Sequence, residues 1–139
     1  MGFFSRSRTA PLPDYASMPV EERVKDPHFQ QAFAHLPGFD DAVLVQNADH
    51  GALIDPPTEL LPSVKIGVFV ITPSHMGYAY VESGQPNKVQ LATKPVQKGE
   101  LRHKGTMFII QFFENPPRVW SFASDDHKPL LEAFNKVRG

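Results

Sequence analysis

Residues 64–81 read VKIGVFVITPSHMGYAYV, and this stretch decides the fold. Its first half is an almost continuous apolar run of strand length, which predicts a β-strand covered on both faces. Residues 72–74 (TPS) have the composition of a tight turn. At 76–81 aromatic side chains alternate with small or aliphatic ones, so Tyr78 and Tyr80 face one side of a second strand. The stretch therefore predicts a strand–turn–strand unit.

C-terminal to this unit, a strand pattern gives way to a helical one. Residues 118–123 alternate as in a strand with one buried face. After residue 127 the apolar side chains recur at spacings of three and four, which predicts an amphipathic helix. Its apolar face comprises Leu130, Leu131, Phe134 and Val137. We expect this face to plug an open corner of a bent sheet, near Trp120, Phe122 and Phe108.

The segment before residue 42 has a helical pattern. Phe29, Phe33 and Leu36 recur at spacings of four and three, so they share one helix face. Asp26-Pro27 marks the start of that helix, because aspartate caps helix N-termini and proline fits the first helical position. The predicted helices are two short ones, near 18–25 and 27–36.

Together these patterns predict an α+β fold. We expect a strongly bent antiparallel sheet of about seven strands, forming a partly open barrel capped by a C-terminal helix, with short N-terminal helices. The predicted organisation is a flexible N-terminal segment at 1–16 and a single domain at 17–139. Within that domain, 17–37 is a helical extension and 42–139 is the sheet-rich core.

Two stretches resemble pleckstrin-homology-like (PH-like) and GRAM-like domains of bacteria. The hairpin at 68–81 is similar to the strand–turn–strand unit of those domains, and 119–134 is similar to their last strand and closing helix. Those families usually carry Asp and Arg where this chain has Pro73 and His75. The resemblance spans about 42–139. It implies a noncatalytic binding or assembly role, with basic side chains near one open end that contact phosphoinositides in some members.

Composition excludes several classes of function. The 139 residues contain no cysteine, which excludes disulfide frameworks, thiol chemistry and thiolate zinc sites. With 14 basic and 15 acidic side chains the net charge is −1, so we expect no nucleic-acid partner. The longest apolar run is far shorter than a membrane span, and no export signal is evident, so we expect a cytoplasmic protein.

No motif for a cofactor or a metal stands out, and none is expected. The sequence has neither a glycine-rich phosphate loop nor a nucleophile elbow. His28 and His35 are seven residues apart and share a face of the second predicted helix, but no Glu-flanked pair at spacing four accompanies them.

Charge is distributed unevenly along the chain. Residues 14–62 hold nine acids and two bases, whereas the residues between Glu82 and Glu114 hold five bases and one acid. The candidate anion-binding residues in the second stretch are Lys88, Lys94, Lys98, Arg102, His103 and Lys104. Two structural explanations stand beside a binding site: a solvated face, or an internal match between the acidic and basic stretches.

Adjacent Phe112 and Phe113 cannot both face inward on a half-buried strand. One of them needs cover from the N-terminal helices, a second subunit or a partner. We favour cover by the helix that bears Phe29 and Phe33, ahead of a dimer.

The function predicted from sequence is a noncatalytic binding or assembly module that contacts a protein partner or an anionic surface. A homodimer and a weak contact with anionic membranes are further expectations. The alternative is a small enzyme or ligand-binding protein that uses a pocket at the barrel mouth. That alternative requires Tyr78, Tyr80, His75 and His103 to converge.

Overall fold

The chain folds around one antiparallel sheet. The computed structural model describes residues 14–54, 65–82, 85–104, 107–113, 118–123 and 128–138. Within them the strands are β1 (Leu44–Ile54), β2 (Lys65–Ile71), β3 (His75–Glu82), β4 (Gln85–Pro95), β5 (Gly99–Lys104), β6 (Met107–Phe112) and β7 (Arg118–Ala123). Their order across the sheet is β4-β3-β2-β1-β7-β6-β5. β4 and β5 stand at the two ends, so the sheet is not closed. The predicted α+β fold with about seven antiparallel strands is confirmed.

β1 joins the two halves of the sheet. Its first part pairs with β2, from Leu44 opposite Ile71 onward, and its last part pairs with β7. The register shifts between Asp49 and Ala52 on the β7 side, and a matching irregularity follows Asp49 on the β2 side. Such bulges increase the local twist and bend a strand. One long strand can therefore serve both halves of a bent sheet.

The inner face of the sheet and the C-terminal helix α3 (Lys128–Arg138) share one core. The central aromatic residues of this core are Phe69, Tyr78, Phe108, Phe112, Trp120 and Phe122. Leu130 and Phe134 of α3 are buried in the same cluster. The helix therefore plugs the sheet as the sequence predicts.

A second core covers the outer face of β2 and β3. Two short helices, α1 (Val20–Lys25) and α2 (Pro27–Phe33), lie on this face. The buried side chains of this core are Tyr15, Phe29, Ala32, Phe33, Leu36, Val68, Val70, Ala79 and Val81. Leu36 fills the space where a side chain at Gly77 would lie, because a Cβ there would come within 2.7 Å of the leucine. The continuous apolar run of β2 thus has cover on both faces.

The position of the N-terminal helices corrects one expectation. Phe112 is buried in the inner core, whereas Phe113 follows β6 and is 56% exposed. The helix that carries Phe29 and Phe33 packs against β3 and β4 instead, and both rings belong to the outer core. The prediction that this helix covers the outward-facing phenylalanine is therefore wrong.

Part of the segment predicted as flexible lies in this outer core. Residues 1–13 lie outside the described residues. Tyr15, in a 3₁₀ turn at Tyr15–Ser17, is buried against Phe29 with ring centroids 4.8 Å apart. Its hydroxyl donates a hydrogen bond to Asp26 at 2.7 Å. Packing with the sheet thus begins before residue 17.

Candidate binding surface

The six basic candidates occupy the two edge strands of the sheet and the turn between them. Lys88 and Lys94 belong to β4, Lys98 ends the 3₁₀ turn Val96–Lys98, and Arg102, His103 and Lys104 belong to β5. Each edge strand has a neighbouring strand on one side only, among the residues that the structure describes. Charged side chains are common on such edges because they oppose uncontrolled strand pairing. The basic stretch therefore follows the open margins of the sheet.

The turn between β4 and β5 combines positive charge with an exposed aromatic ring. The Phe113 amide donates to the Lys98 carbonyl oxygen at 2.9 Å, which fixes the two residues side by side. The Lys94 ammonium lies 5.8 Å from the centroid of the buried Phe112 ring. Lys98 is exposed, and Phe113 is the large exposed hydrophobic side chain of the described residues. We call Lys94, Lys98 and Phe113 the basic corner.

Further along β5, the charge of Arg102 is offset locally. Its guanidinium donates to Glu100 Oε1 at 3.0 and 3.2 Å, and the two side chains are 61% and 46% exposed. His103 and Lys104 occupy the end of β5, opposite Phe108 and Met107 of β6. The ion pairs Arg102–Glu100 and Arg23–Asp49 each join residues within one half of the sequence.

Lys88 belongs to a different surface. It lies six residues before Lys94 on β4, a separation of about 20 Å along an extended strand. There it lines a groove of about 270 Å³ between α2 and β4. The other lining residues are His28, Gln31, Ala32, His35, Val89 and Leu91. His28 on α2 and His35, which follows the end of α2 at Phe33, line this same groove opposite β4.

A larger groove lies at the end of α2. It has a volume of about 440 Å³ and lies beside the 3₁₀ turn Phe39–Asp41. Phe33 and Phe39 stack in its wall, with ring centroids 4.5 Å apart and planes within 5° of parallel. The exposed Asp40 and Asp41 also line it. We call this surface the acidic groove.

Three of the four residues that a pocket at the barrel mouth would need have other contacts, and the side chain of the fourth, His103, lies outside the described residues. Tyr78 is buried, and its hydroxyl donates to the Ala48 carbonyl oxygen at 2.8 Å. Burial, reinforced by the charge of Asp49, raises the pKa of the Tyr78 phenol above its ordinary value. The Tyr80 ring stacks on Tyr78 at 5.1 Å, and the His75 ring contacts the Ser74 hydroxyl at 2.8 Å. Tyr78 and Tyr80 thus belong to the inner core, and His75 to the turn before β3.

Across the described ranges, no group of three or more His, Cys, Asp or Glu side chains is placed to hold a metal ion. None of the helices in those ranges has the length and hydropathy that crossing a membrane requires.

Solved structures with a similar fold include two of Vav1. One, concerned with the PH and C1 domains of the Vav1 exchange factor, aligns at a TM-score of 0.51 with 10% identity, over 86% of this chain and 34% of that chain. The other, Vav1 inhibited by an allosteric inhibitor, aligns at a TM-score of 0.53 with 10% identity, over 85% and 33% of the two chains. This chain therefore spans about a third of the length of those proteins.

A third similar structure is an SsgA-like sporulation-specific cell division protein from Thermobifida fusca YX-ER1. It aligns at a TM-score of 0.36 with 11% identity, over 68% of this chain and 78% of that chain. No family model and no curated protein matches the sequence. At these identities the likeness to Vav1 shows the fold alone, and it confirms the predicted PH-like fold.

Proposed function

We propose that the chain is a noncatalytic PH-like module that binds a protein partner through the basic corner. The observation that carries this proposal is the exposed Phe113, whose backbone amide is hydrogen-bonded to the carbonyl oxygen of the exposed Lys98. An aromatic anchor within a charged rim is the composition that protein interfaces favour. The PH-like fold supports the proposal, because the sequence resemblance implies a binding or assembly role for such domains.

The charge of the molecule favours a protein partner over an anionic membrane. The chain has a net charge of −1, so it has no overall attraction to an anionic surface. The guanidinium of Arg102 is paired with Glu100, and Lys88 lies at the other end of β4. The exposed Lys98 is paired through the backbone with the exposed Phe113, and this combination fits a compact site on an acidic protein surface.

Capture from an extract of the source cells, followed by mass spectrometry, tests this function. We expect the intact chain to retain a defined partner, and the double variant Phe113→Ser/Lys98→Glu to lose it. Lys25→Glu is the matched control, because it reverses an exposed charge on α1. A partner retained equally by all three proteins would contradict the proposal.

Sedimentation with anionic liposomes at low and high salt tests the rival surface. We expect no binding by the intact chain. Strong binding that is lost in Lys98→Glu/Arg102→Glu/Lys104→Glu, together with no captured protein, would replace the protein partner with a membrane.

A further inference from the structure

The basic corner and the acidic groove are complementary in charge and in composition. The corner presents an exposed phenylalanine beside Lys98. The groove presents the partly exposed Phe39, which stacks on the buried Phe33, and the exposed Asp40 and Asp41 lie beside it. An aromatic ring gains favourable edge-to-face or offset contacts with other rings, and lysine pairs with carboxylates. The two surfaces therefore carry opposite charges, and each of them also carries an aromatic ring.

The two surfaces belong to different parts of the fold. The corner lies at the turn between β4 and β5 and just after β6, on the open margin of the sheet. The groove is formed by α2 and the turn that follows it, with Gly38 in a left-handed conformation at φ 78° between them. A contact between these surfaces in two molecules is heterologous, because each molecule uses a different patch.

We propose that the chain associates with itself head to tail, with Phe113 and Lys98 of one copy seated in the acidic groove of the next. This inference rests on the proposed function, since it names a second copy of the chain as a partner of the basic corner. A heterologous contact leaves one corner and one groove open on every dimer, so association continues into a ring or an open chain. The contact depends on ion pairs at exposed residues, and salt therefore weakens it.

Analytical ultracentrifugation of the intact protein from micromolar to millimolar concentration tests the contact. We expect the weight-average mass to rise with concentration above the 15.5 kDa of one chain, and to fall again in high salt. Phe113→Ser and Asp40→Lys/Asp41→Lys should each remain monomeric over the same range. Lys25→Glu should associate like the unchanged protein. Thermal melts confirm that the variants fold, since all the substituted side chains are exposed.

Mixing the two monomeric variants provides the decisive measurement. Phe113→Ser keeps its groove, and Asp40→Lys/Asp41→Lys keeps its corner, so the mixture should form a one-to-one complex and nothing larger. A mixture that stays monomeric contradicts the head-to-tail contact. So does self-association that persists in either variant alone.

The outcomes separate this inference from the proposed function. If the intact chain stays monomeric at every concentration while capture of another protein still depends on Phe113, the self-contact is wrong and the binding function stands. If self-association is found and depends on Phe113, whereas no other protein is captured, the partner of the basic corner is the chain itself.

Discussion

At the scale of single residues, one buried arginine connects the N-terminal helices to the sheet. The Arg23 side chain is 1% exposed, and its Nη1 donates to Asp49 Oδ1 and to the Gly67 carbonyl oxygen, each at 2.8 Å. Its Nε donates to the Met18 carbonyl oxygen at 3.1 Å. Asn47 Nδ2 donates to the same oxygen at 3.1 Å. This network satisfies a charge that would be costly to bury alone.

Replacing Arg23 should therefore destabilise the protein strongly. Arg23→Met removes the guanidinium donors to Asp49 and to the Gly67 carbonyl oxygen, whereas the Met18 oxygen keeps Asn47 Nδ2 as a donor. We expect the free energy of unfolding to fall by about 2–3 kcal/mol. This expected loss of stability is smaller than the loss on breaking a fully buried ion pair, because the Asp49 side chain is 33% exposed and water reaches it. Urea denaturation measures the change.

The exposed pair Arg102–Glu100 provides the control for this experiment. Arg102→Met should change the free energy of unfolding by less than about 0.5 kcal/mol, because exposed ion pairs contribute little. Equal losses in the two variants would show that the network around Arg23 does not hold the helices on the sheet.

Tyr78 gives the protein a predictable sensitivity to alkali. Its pKa is raised in the folded state by burial and by the charge of Asp49, so the unfolded chain loses this proton first as the pH rises. The contribution of the Tyr78 phenol to the free energy of unfolding is constant below about pH 10, the ordinary tyrosine pKa. The free energy of unfolding falls as the pH rises above that value. Tyr78→Phe removes this group and also leaves the Ala48 carbonyl without its donor.

Urea denaturation of the intact protein and Tyr78→Phe from neutral pH to above pH 10 separates the two effects. Near neutral pH we expect the variant to be less stable by about 1–3 kcal/mol, the cost of an unpaired buried carbonyl group. Above about pH 10 the difference should shrink, because only the intact protein must keep a buried phenol protonated. A difference that stays constant with pH would contradict the raised pKa.

At the scale of secondary structure elements, α3 is the plug of the inner core. Phe134 is buried, and Phe134→Ala should lower the free energy of unfolding by about 3–5 kcal/mol, because it leaves a cavity between the helix and the sheet. Asn135→Ala, one residue along and exposed, should have little effect. Thermal melts of both variants measure the contrast. Similar melting temperatures would mean that the helix does not support the sheet.

The elements that the sequence predicts well are those with strong local signals. The period of the last helix is visible because one face is apolar, and Asp26 caps α2 by accepting hydrogen bonds from the His28 and Phe29 amides. β5 has no such signal, since the residues Gly99–Lys104 are mostly polar on an edge strand. Pairing with β6, a long-range contact, makes those residues a strand.

The sequence predicted that something covers the outer faces of the sheet, but it did not show where the helices lie. The continuous apolar run of β2 indicated two covered faces, and α1 and α2 do cover the outer one. Leu36 reaches the sheet through the space above Gly77, a fit that depends on the paired register of β2 and β3. A linear pattern cannot distinguish this site from the region around Phe113.

At the scale of the whole molecule, the fold places basic residues that are neighbours in sequence on different surfaces. The basic stretch is continuous in sequence, yet Lys88 lies in the groove beside α2 and Lys98 lies in the basic corner. Conversely, the acidic groove combines Phe33 with Asp40 and Asp41 across a turn. The sequence therefore predicted the charge of the candidate surface, while its division into a corner and a separate groove follows from the fold.

A further question about the whole molecule is whether the N-terminal helices fold together with the sheet as one domain. We predict that the chain is a single folding unit, because α1 and α2 cover apolar side chains of β2 and β3 and supply the donor for Asp49. A chain beginning at residue 42 exposes Val68, Val70, Ala79 and Val81 together, a patch that promotes association or partial unfolding. We expect it to bind a hydrophobic dye and to lose the cooperative melt of the full chain, whereas a chain beginning at residue 14 keeps that melt. A shortened chain from residue 42 that melts cooperatively at an unchanged temperature would show that the sheet and α3 fold alone, and the helices would then be an added part of the binding surface.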